Sequence, residues 1–196
     1  MSLTGKRIGM GITGSFCTFD KVLPQIQKMV DDGADVIPIL SNVVSTTDTR
    51  FMTKQQLFDA LISITGKQPL TAITDVEPIG PKKLLDVMVV APCTGNSLAK
   101  LANGITDTPV LMAVKSHLRN QRPVVIAVSS NDILGNNARN LGTVLIMKNV
   151  FLVPFRQDDP VKKQNSVVAD MDLIIPTIEA ALENRQLEPL MLVPAM

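Results

Sequence analysis

The sequence predicts a three-layer α/β/α sandwich built on a parallel sheet. Three observations carry that expectation. Short apolar runs of strand length alternate with segments of helical spacing, the pattern of βαβ units whose right-handed crossovers cover both faces of a sheet. The strongest runs, Leu85–Ala91 and Pro123–Ser129, are apolar almost without a break, as strands buried on both faces are. A glycine-rich turn, Gly11-Ile12-Thr13-Gly14-Ser15, closes the first strand, at the end of the sheet where such folds seat ligands.

Arg7–Thr13 is the first predicted strand. Asp20–Val30 carries helical spacing through Val22, Ile26, Met29 and Val30, with Gly33 as its stop. Ala34–Leu40 reads as the second strand and Ser41–Arg50 as a polar loop. Thr53–Ile64 places Leu57, Leu61 and Ile64 on one helical face. Gly66–Lys83 holds three prolines and reads as irregular, with at most a short strand at Ala72–Ile73. Leu85–Ala91 ends at Pro92, and Ser97–Ala102 begins a helix. Thr106-Asp107-Thr108-Pro109 opens another over Val110–Leu118, since Pro suits a first helical position. Pro123–Ser129 is a strand, Asn136–Lys148 a helix, Val150–Pro154 a strand and Val168–Asn184 the last helix. No linker or repeat divides the chain, so residues 1–196 form one domain with a Rossmann-like or flavodoxin-like sheet.

Composition removes several function classes. The formal net charge is +1, from 19 Lys and Arg against 18 Asp and Glu, which gives no basic footprint for nucleic acid. The single histidine, His117, excludes a multi-histidine metal site, and it is expected at a surface or interface. Cys17 and Cys93 form no CxxC pair, so no metal site and no disulfide framework are expected, and a reducing cytoplasm is the simplest compartment. No apolar run approaches the ~20 residues of a membrane span. The first six residues lack the layout of a signal peptide. Hydrophobic residues make up 45% of a chain with no Trp or Tyr; we read that excess as buried contact between copies, hence a homo-oligomer.

Two loops carry the chemistry. In the first, Gly14 allows close backbone approach, Thr13 and Ser15 add hydroxyls, and the following helix offers its positive end to a phosphate. Gly9 to Gly14 also fits a GxGxxG pattern. The second strand, however, ends in Ser41-Asn42, with no carboxylate for a dinucleotide ribose, so a mononucleotide suits the site better. The second loop, Ala91-Pro92-Cys93-Thr94-Gly95-Asn96-Ser97, gathers hydroxyls, an amide and a glycine at the mouth of a buried strand. Cys17 and Cys93 read as packing residues, and Asp107 as a helix-start residue or a catalytic acid.

Residues Ala91 to Asp107 resemble the signature Ala-Pro-x-Thr-Ala-Asn-Thr-x-Ala-Lys-x-Ala-x-Gly-x-x-Asp of the flavoprotein family that includes FMN-dependent cysteine decarboxylases, with Gly95 for Ala and Ser97 for Thr. Thr13-Gly14-Ser15 resembles the family's first loop, and Arg122 to Asn131 its late strand, of whose Pro-x-Met-Asn segment only Asn131 survives. The resemblance implies that these loops hold FMN. The first loop would take the phosphate, Ser41, Thr94 and Ser129 would line the phosphate and ribityl groups, and Pro92, Gly95 and Asn96 are further cofactor-binding candidates. Decarboxylating members carry a His before the third strand; Val76–Lys83 has none. That departure puts decarboxylation in doubt.

A narrower likeness within the family runs through Lys6–Phe19, Asn120–Val125, Ser130-Asn131-Asp132, Lys148–Phe151 and Pro154–Pro160. It is to the B subunits of two-subunit synthases of pyridine-2,6-dicarboxylate in sporulating bacteria. It implies an oxidoreductase component of the mother-cell cytoplasm, a small dicarboxylate substrate and an A subunit that brings the nicotinamide site. Arg119, Arg122, Arg139, Arg156, Lys162 and Lys163 are candidate carboxylate anchors, Arg156 foremost. Asn131 is the candidate catalytic residue. A decarboxylase or prenyltransferase of the same fold, and a non-catalytic scaffold, stay open as alternatives.

Overall fold

The computed structural model describes residues 2–193. The chain opens with β1 (Arg7–Ile12), a 3₁₀ turn at Phe16–Thr18, α1 (Phe19–Asp31) and β2 (Asp35–Leu40). α2 (Asn42–Thr46), α3 (Lys54–Thr65) and α4 (Ile73–Val76) precede β3 (Val87–Cys93). α5 (Gly95–Ala102), α6 (Pro109–Leu118), β4 (Val124–Ser130), α7 (Ala138–Leu145) and β5 (Val150–Leu152) follow. β6 (Phe155–Asp159), β7 (Lys163–Ala169) and α8 (Ile174–Leu182) complete the fold.

The sheet runs β2-β1-β3-β4, continuing on one stretch of β4 to β5 and on another to β7 and β6. β2, β1, β3, β4 and β5 are parallel, the sheet the sequence predicts. α1, α3 and α8 pack on one face and α4, α5, α6 and α7 on the other. β3 is buried along its whole length, and the core gathers Val87–Ala91 and Val124–Val128 with Ile26, Leu61, Val114 and Ile178 from the helices. Order reverses between β1 and β3, which are direct neighbours, and the crevice beyond their carboxyl ends is where a ligand is expected.

Local signals set many boundaries. Gly33 stands at φ 86° after α1 and Gly66 at φ 68° after α3, the left-handed C-terminal stop that glycine tolerates. Thr53 and Gln56 form a reciprocal capping box at α3, and Thr108 caps α6 with Pro109 in its first turn.

The structure departs from the sequence reading in several places. Ser41–Arg50 contains α2, because Ser41 is extended and the Ser45 and Thr46 hydroxyls bond back to Asn42. Gly66–Lys83 forms α4 and a 3₁₀ turn, with Asp75 receiving the Ala72 N–H; the only pairing there is a bridge from Leu70 to Ile39. β3 runs on through a cis Ala91–Pro92 bond to Cys93, and α5 starts at Gly95 because Thr94 caps it. The antiparallel hairpin β6–β7 is absent from the sequence reading. Its strands are largely polar, and Val167-Val168-Ala169 reads equally well as the start of a helix, but β7 pairs with Ser129 and Ser130, so α8 begins only at Ile174. His117 is not at the surface: it is buried on α6, where Nε2 donates to Pro123 O at 3.1 Å.

Candidate functional site

Both loops meet at the carboxyl ends of β1 and β3. Thr13 joins them: its N–H and its hydroxyl reach Pro92 O at 3.3 and 2.8 Å, and Oγ1 accepts from Thr94 N at 2.9 Å. Thr13 is therefore a latch whose hydroxyl is spent within the protein. Thr94 caps α5 by accepting from Ser97 N at 3.2 Å. Thr13, Pro92 and Thr94 thus shape the crevice and hold its two loops together.

Other groups remain available. The Ser15 and Ser129 hydroxyls meet at 2.9 Å, tying the first loop to the end of β4. Ser41 is buried, yet its Oγ has no partner within the protein. Buried hydroxyls are paired as a rule, and Ser41 Oγ at the carboxyl end of β2 departs from it. Gly14 is not in the left-handed region; a Cβ there would lie 3.1 Å from Val43 Cγ1 and 3.4 Å from Phe16 Cε2. Glycine there spares Val43 and Phe16 a crowded contact. Asn96 is exposed at the mouth of the second loop.

Asn131 follows β4 and is exposed, and with Val161–Asn165 of the hairpin it lines a depression of about 460 Å³. Two lysines and three amides face this space with no acid among its lining residues. Arg156 lies elsewhere. It pairs with Asp170 and lines a separate depression of about 490 Å³ with Lys21, Lys28, Asp158 and Asp172. Arg122 is turned to the amino end of the sheet, bonding Leu85 O and Lys83 O.

The titratable groups narrow the chemistry. Burial pushes the Cys93 thiol up to about 12, so it stays protonated and unreactive. Desolvation lowers His117 to about 4, which leaves it neutral and remote from the crevice. Asp107 accepts from Lys100 at 2.7 and 2.9 Å, and that bond holds its carboxyl below the usual range. Thr108, and not Asp107, caps α6. Sequence reasoning missed a cluster formed by Ser130, Asp132 and Asn137 against Gly95. Its signal was the glycine at 95 where the resembling signature has alanine.

The model of the Flavoprotein family matches residues 1–183. The chain belongs to that family. Within it, the chain is 51% identical over 190 residues to the B subunit of dipicolinate synthase from Bacillus subtilis, covering 97% of this chain and 95% of the relative. The crystal structure of the dipicolinate synthase B subunit from Bacillus halodurans superposes with a TM-score of 0.92 at 44% identity, covering 100% of both chains. An FMN-dependent cysteine decarboxylase, SpaF, superposes with a TM-score of 0.65 at 19% identity over 93% of this chain and 98% of its own, a likeness of fold. This Flavoprotein-family chain thus combines the expected α/β/α architecture with a specific likeness to the B subunits of dipicolinate synthases. Among the described residues no helix is long and apolar enough to cross a membrane.

Proposed function

We propose that the chain is the FMN-binding component of a two-subunit oxidoreductase that forms pyridine-2,6-dicarboxylate in the cytoplasm of the mother cell of a sporulating bacterium. The observation that carries the cofactor reading is the orphan Ser41 Oγ at the end of β2, together with the Ser15–Ser129 pair at the ends of β1 and β4. The likeness to the dipicolinate synthase B subunit carries the substrate. Gly14, Ser15, Ser41 and Ser129 would hold the phosphate and ribityl groups with hydroxyls and close backbone, while Thr13, Pro92 and Thr94 fix the two loops. Gly95 and Asn96 would border the ring.

FMN, when bound, supplies a two-electron acceptor, which is what aromatising a dihydropyridine requires. The chain's own residues bind and orient. Asn131 presents an exposed amide in the depression it shares with Val161–Asn165, where it would touch the substrate. Lys162, in the same depression, suits a carboxylate of a dianion better than Arg156, whose guanidinium is already paired with Asp170, or Lys163, whose ammonium is paired with Asp158 at 2.6 Å. No histidine lies in Val76–Lys83 or elsewhere near the crevice, so an independent reaction of the decarboxylase kind lacks its imidazole base. A partner A subunit would bring the nicotinamide site. Exposed Val43, beside Gly14, and exposed Phe51 leave apolar surface for a homo-oligomer that shields the ring.

Reconstitution followed by denaturation and chromatography tests the cofactor: FMN is expected at one per chain, and recovery of FAD or NAD alone overturns the reading. Dipicolinate formation is then followed by ultraviolet absorbance with the pathway intermediate and NADP. The chain alone is expected to be inactive and to become active with the A subunit; an A-subunit rate unchanged by this chain overturns the assignment. Light scattering of the FMN-loaded chain is expected to show an oligomer, trimer-based by analogy with the family.

A further inference from the structure

Gly95 opens α5, and the reason for a glycine lies outside its own backbone. A Cβ there would stand 2.5 Å from Asp132 Oδ1 and 2.7 Å from Ser130 Oγ and Asn137 Nδ2. The space of a side chain at 95 is occupied by the Asp132 carboxylate and the two groups that hold it. Ser130 Oγ donates to Oδ1 at 2.7 Å, and Asn137 Nδ2 donates to Oδ2 at 2.6 Å. Asn140 Nδ2 in turn donates to Asn137 Oδ1 at 2.7 Å, and Asn103 Nδ2 to Asn140 Oδ1 at 3.3 Å, which fixes the amide that orients the carboxylate.

Both side-chain partners of Asp132 are neutral, and among the described residues no Lys or Arg pairs with it. Its positive surroundings are helix ends. The first residue of α5 lies against it, and Asn137 is the N-cap residue of α7. Two helix N-termini therefore converge on one half-buried carboxylate.

Position along β4 gives this charge an orientation relative to the crevice. Ser129 bonds Ser15 of the first loop, while the adjacent Ser130 holds Asp132 against the second. On the flavin-binding reading, on which this inference rests, Gly14 and Ser15 would hold the phosphate end and Gly95 would border the ring. We infer that Asp132 is a positioning residue that sets a fixed negative charge beside the flavin ring and lowers its affinity for electrons. Reduction adds negative charge to the ring, and a carboxylate held close in a partly desolvated crevice opposes it.

The test compares the FMN-loaded wild type with Asp132→Asn, which keeps an oxygen and nearly the same shape, and Asp132→Glu, which keeps the charge. The readouts are FMN affinity, the visible spectrum and the reduction potential. Asp132→Asn is expected to bind FMN within about threefold of wild type and to favour the reduced over the oxidised cofactor about tenfold, a positive shift of about 30 mV for a two-electron couple. Its spectrum is expected to shift, and Asp132→Glu to return the potential most of the way to the wild-type value. An unchanged potential in a folded, FMN-loaded Asp132→Asn overturns this inference and leaves the flavin reading standing. If that variant does not fold, Asp132→Glu decides: a potential displaced as far as loss of the charge would displace it overturns the inference. A wild-type chain that binds no flavin overturns both.

Discussion

The two ends of one parallel sheet are built on opposite terms. At the amino end the polar groups close on one another. His117 donates to Pro123 O, Asn120 Nδ2 to Gly80 O at 2.8 Å, Arg7 N to Asp86 Oδ2 at 2.8 Å, and Arg122 reaches Leu85 O and Lys83 O. At the carboxyl end Thr13, Thr94 and Ser130 are also paired within the protein, but Ser15 and Ser129 meet each other and Ser41 Oγ meets nothing. Burial is similar at both ends, since His117, Ser129 and Ser41 are 1%, 6% and 5% exposed. Satisfaction is what differs. A buried polar group gains stability only when paired, so the amino end seals the fold, while at Ser41 the carboxyl end gives up that gain.

The largest effect tests the sealed end. The His117 imidazole is held neutral by burial, with its value lowered from 6.5 to about 4. The unfolded chain binds a proton there at higher pH than the folded chain does. The contribution is therefore fully present above pH 6.5 and is lost as pH falls toward 4, by about 1.4 kcal/mol per unit and up to about 3 kcal/mol in all. Denaturant melts at pH 7 and pH 4.5 are expected to differ by that order in the wild type, and by clearly less in His117→Gln. Equal pH dependence in the two proteins refutes the assignment. Next in size is Gly80→Ala. Its Cβ would stand 2.8 Å from Ser116 O, a backbone atom that cannot swing aside, so a loss of about 2 kcal/mol is expected. FMN affinity is expected to stay level, and a parallel fall in affinity breaks the separation of the two ends.

The same contrast explains what could be read from the sequence. β1, β3 and β4 were legible because strands buried on both faces are apolar without interruption, and α3 and α6 because their caps lie in adjacent letters, Thr53 with Gln56 and Thr108 with Pro109. The crevice was legible through its glycine and hydroxyl loops, which the structure brings together at Thr13 and Pro92. The division of labour inside it was not. Thr13 and Ser41 are both hydroxyl residues at strand ends in the sequence reading, and only packing shows that the first is spent and the second is free. The β6–β7 hairpin was hidden because an edge hairpin needs no apolar alternation, and His117 because a lone histidine on a helix carries no mark of which way its ring is turned.

At the open end the effects shrink in stability and grow in selectivity. Gly14→Val sends a branched side chain toward Val43 and Phe16, both side chains able to give, and no left-handed φ is at stake. Folding stability is expected to fall by less than about 1 kcal/mol. FMN affinity is expected to fall at least tenfold, about 1.4 kcal/mol, because the added atoms fill the floor of the first loop. Titration of the folded variant decides it, and unchanged affinity moves the phosphate away from this loop.

The smallest effect discriminates most sharply. Ser41→Ala deletes a hydroxyl that has no partner in the protein. At the sealed end, removing one member of a pair leaves a buried group unmatched and costs about 1–3 kcal/mol. At Ser41 nothing is left unmatched, so stability without cofactor is expected to stay level or rise by about 0.5 kcal/mol. If the hydroxyl is kept for the cofactor, the same variant binds FMN several-fold more weakly, and added FMN stabilises it less than it does the wild type. The two signs must therefore oppose: the chain without cofactor at least as stable, the loaded chain less so. A Ser41→Ala protein destabilised equally in both states would show that the hydroxyl serves the fold, and the distinction between the two ends of the sheet would fail at its most exposed point.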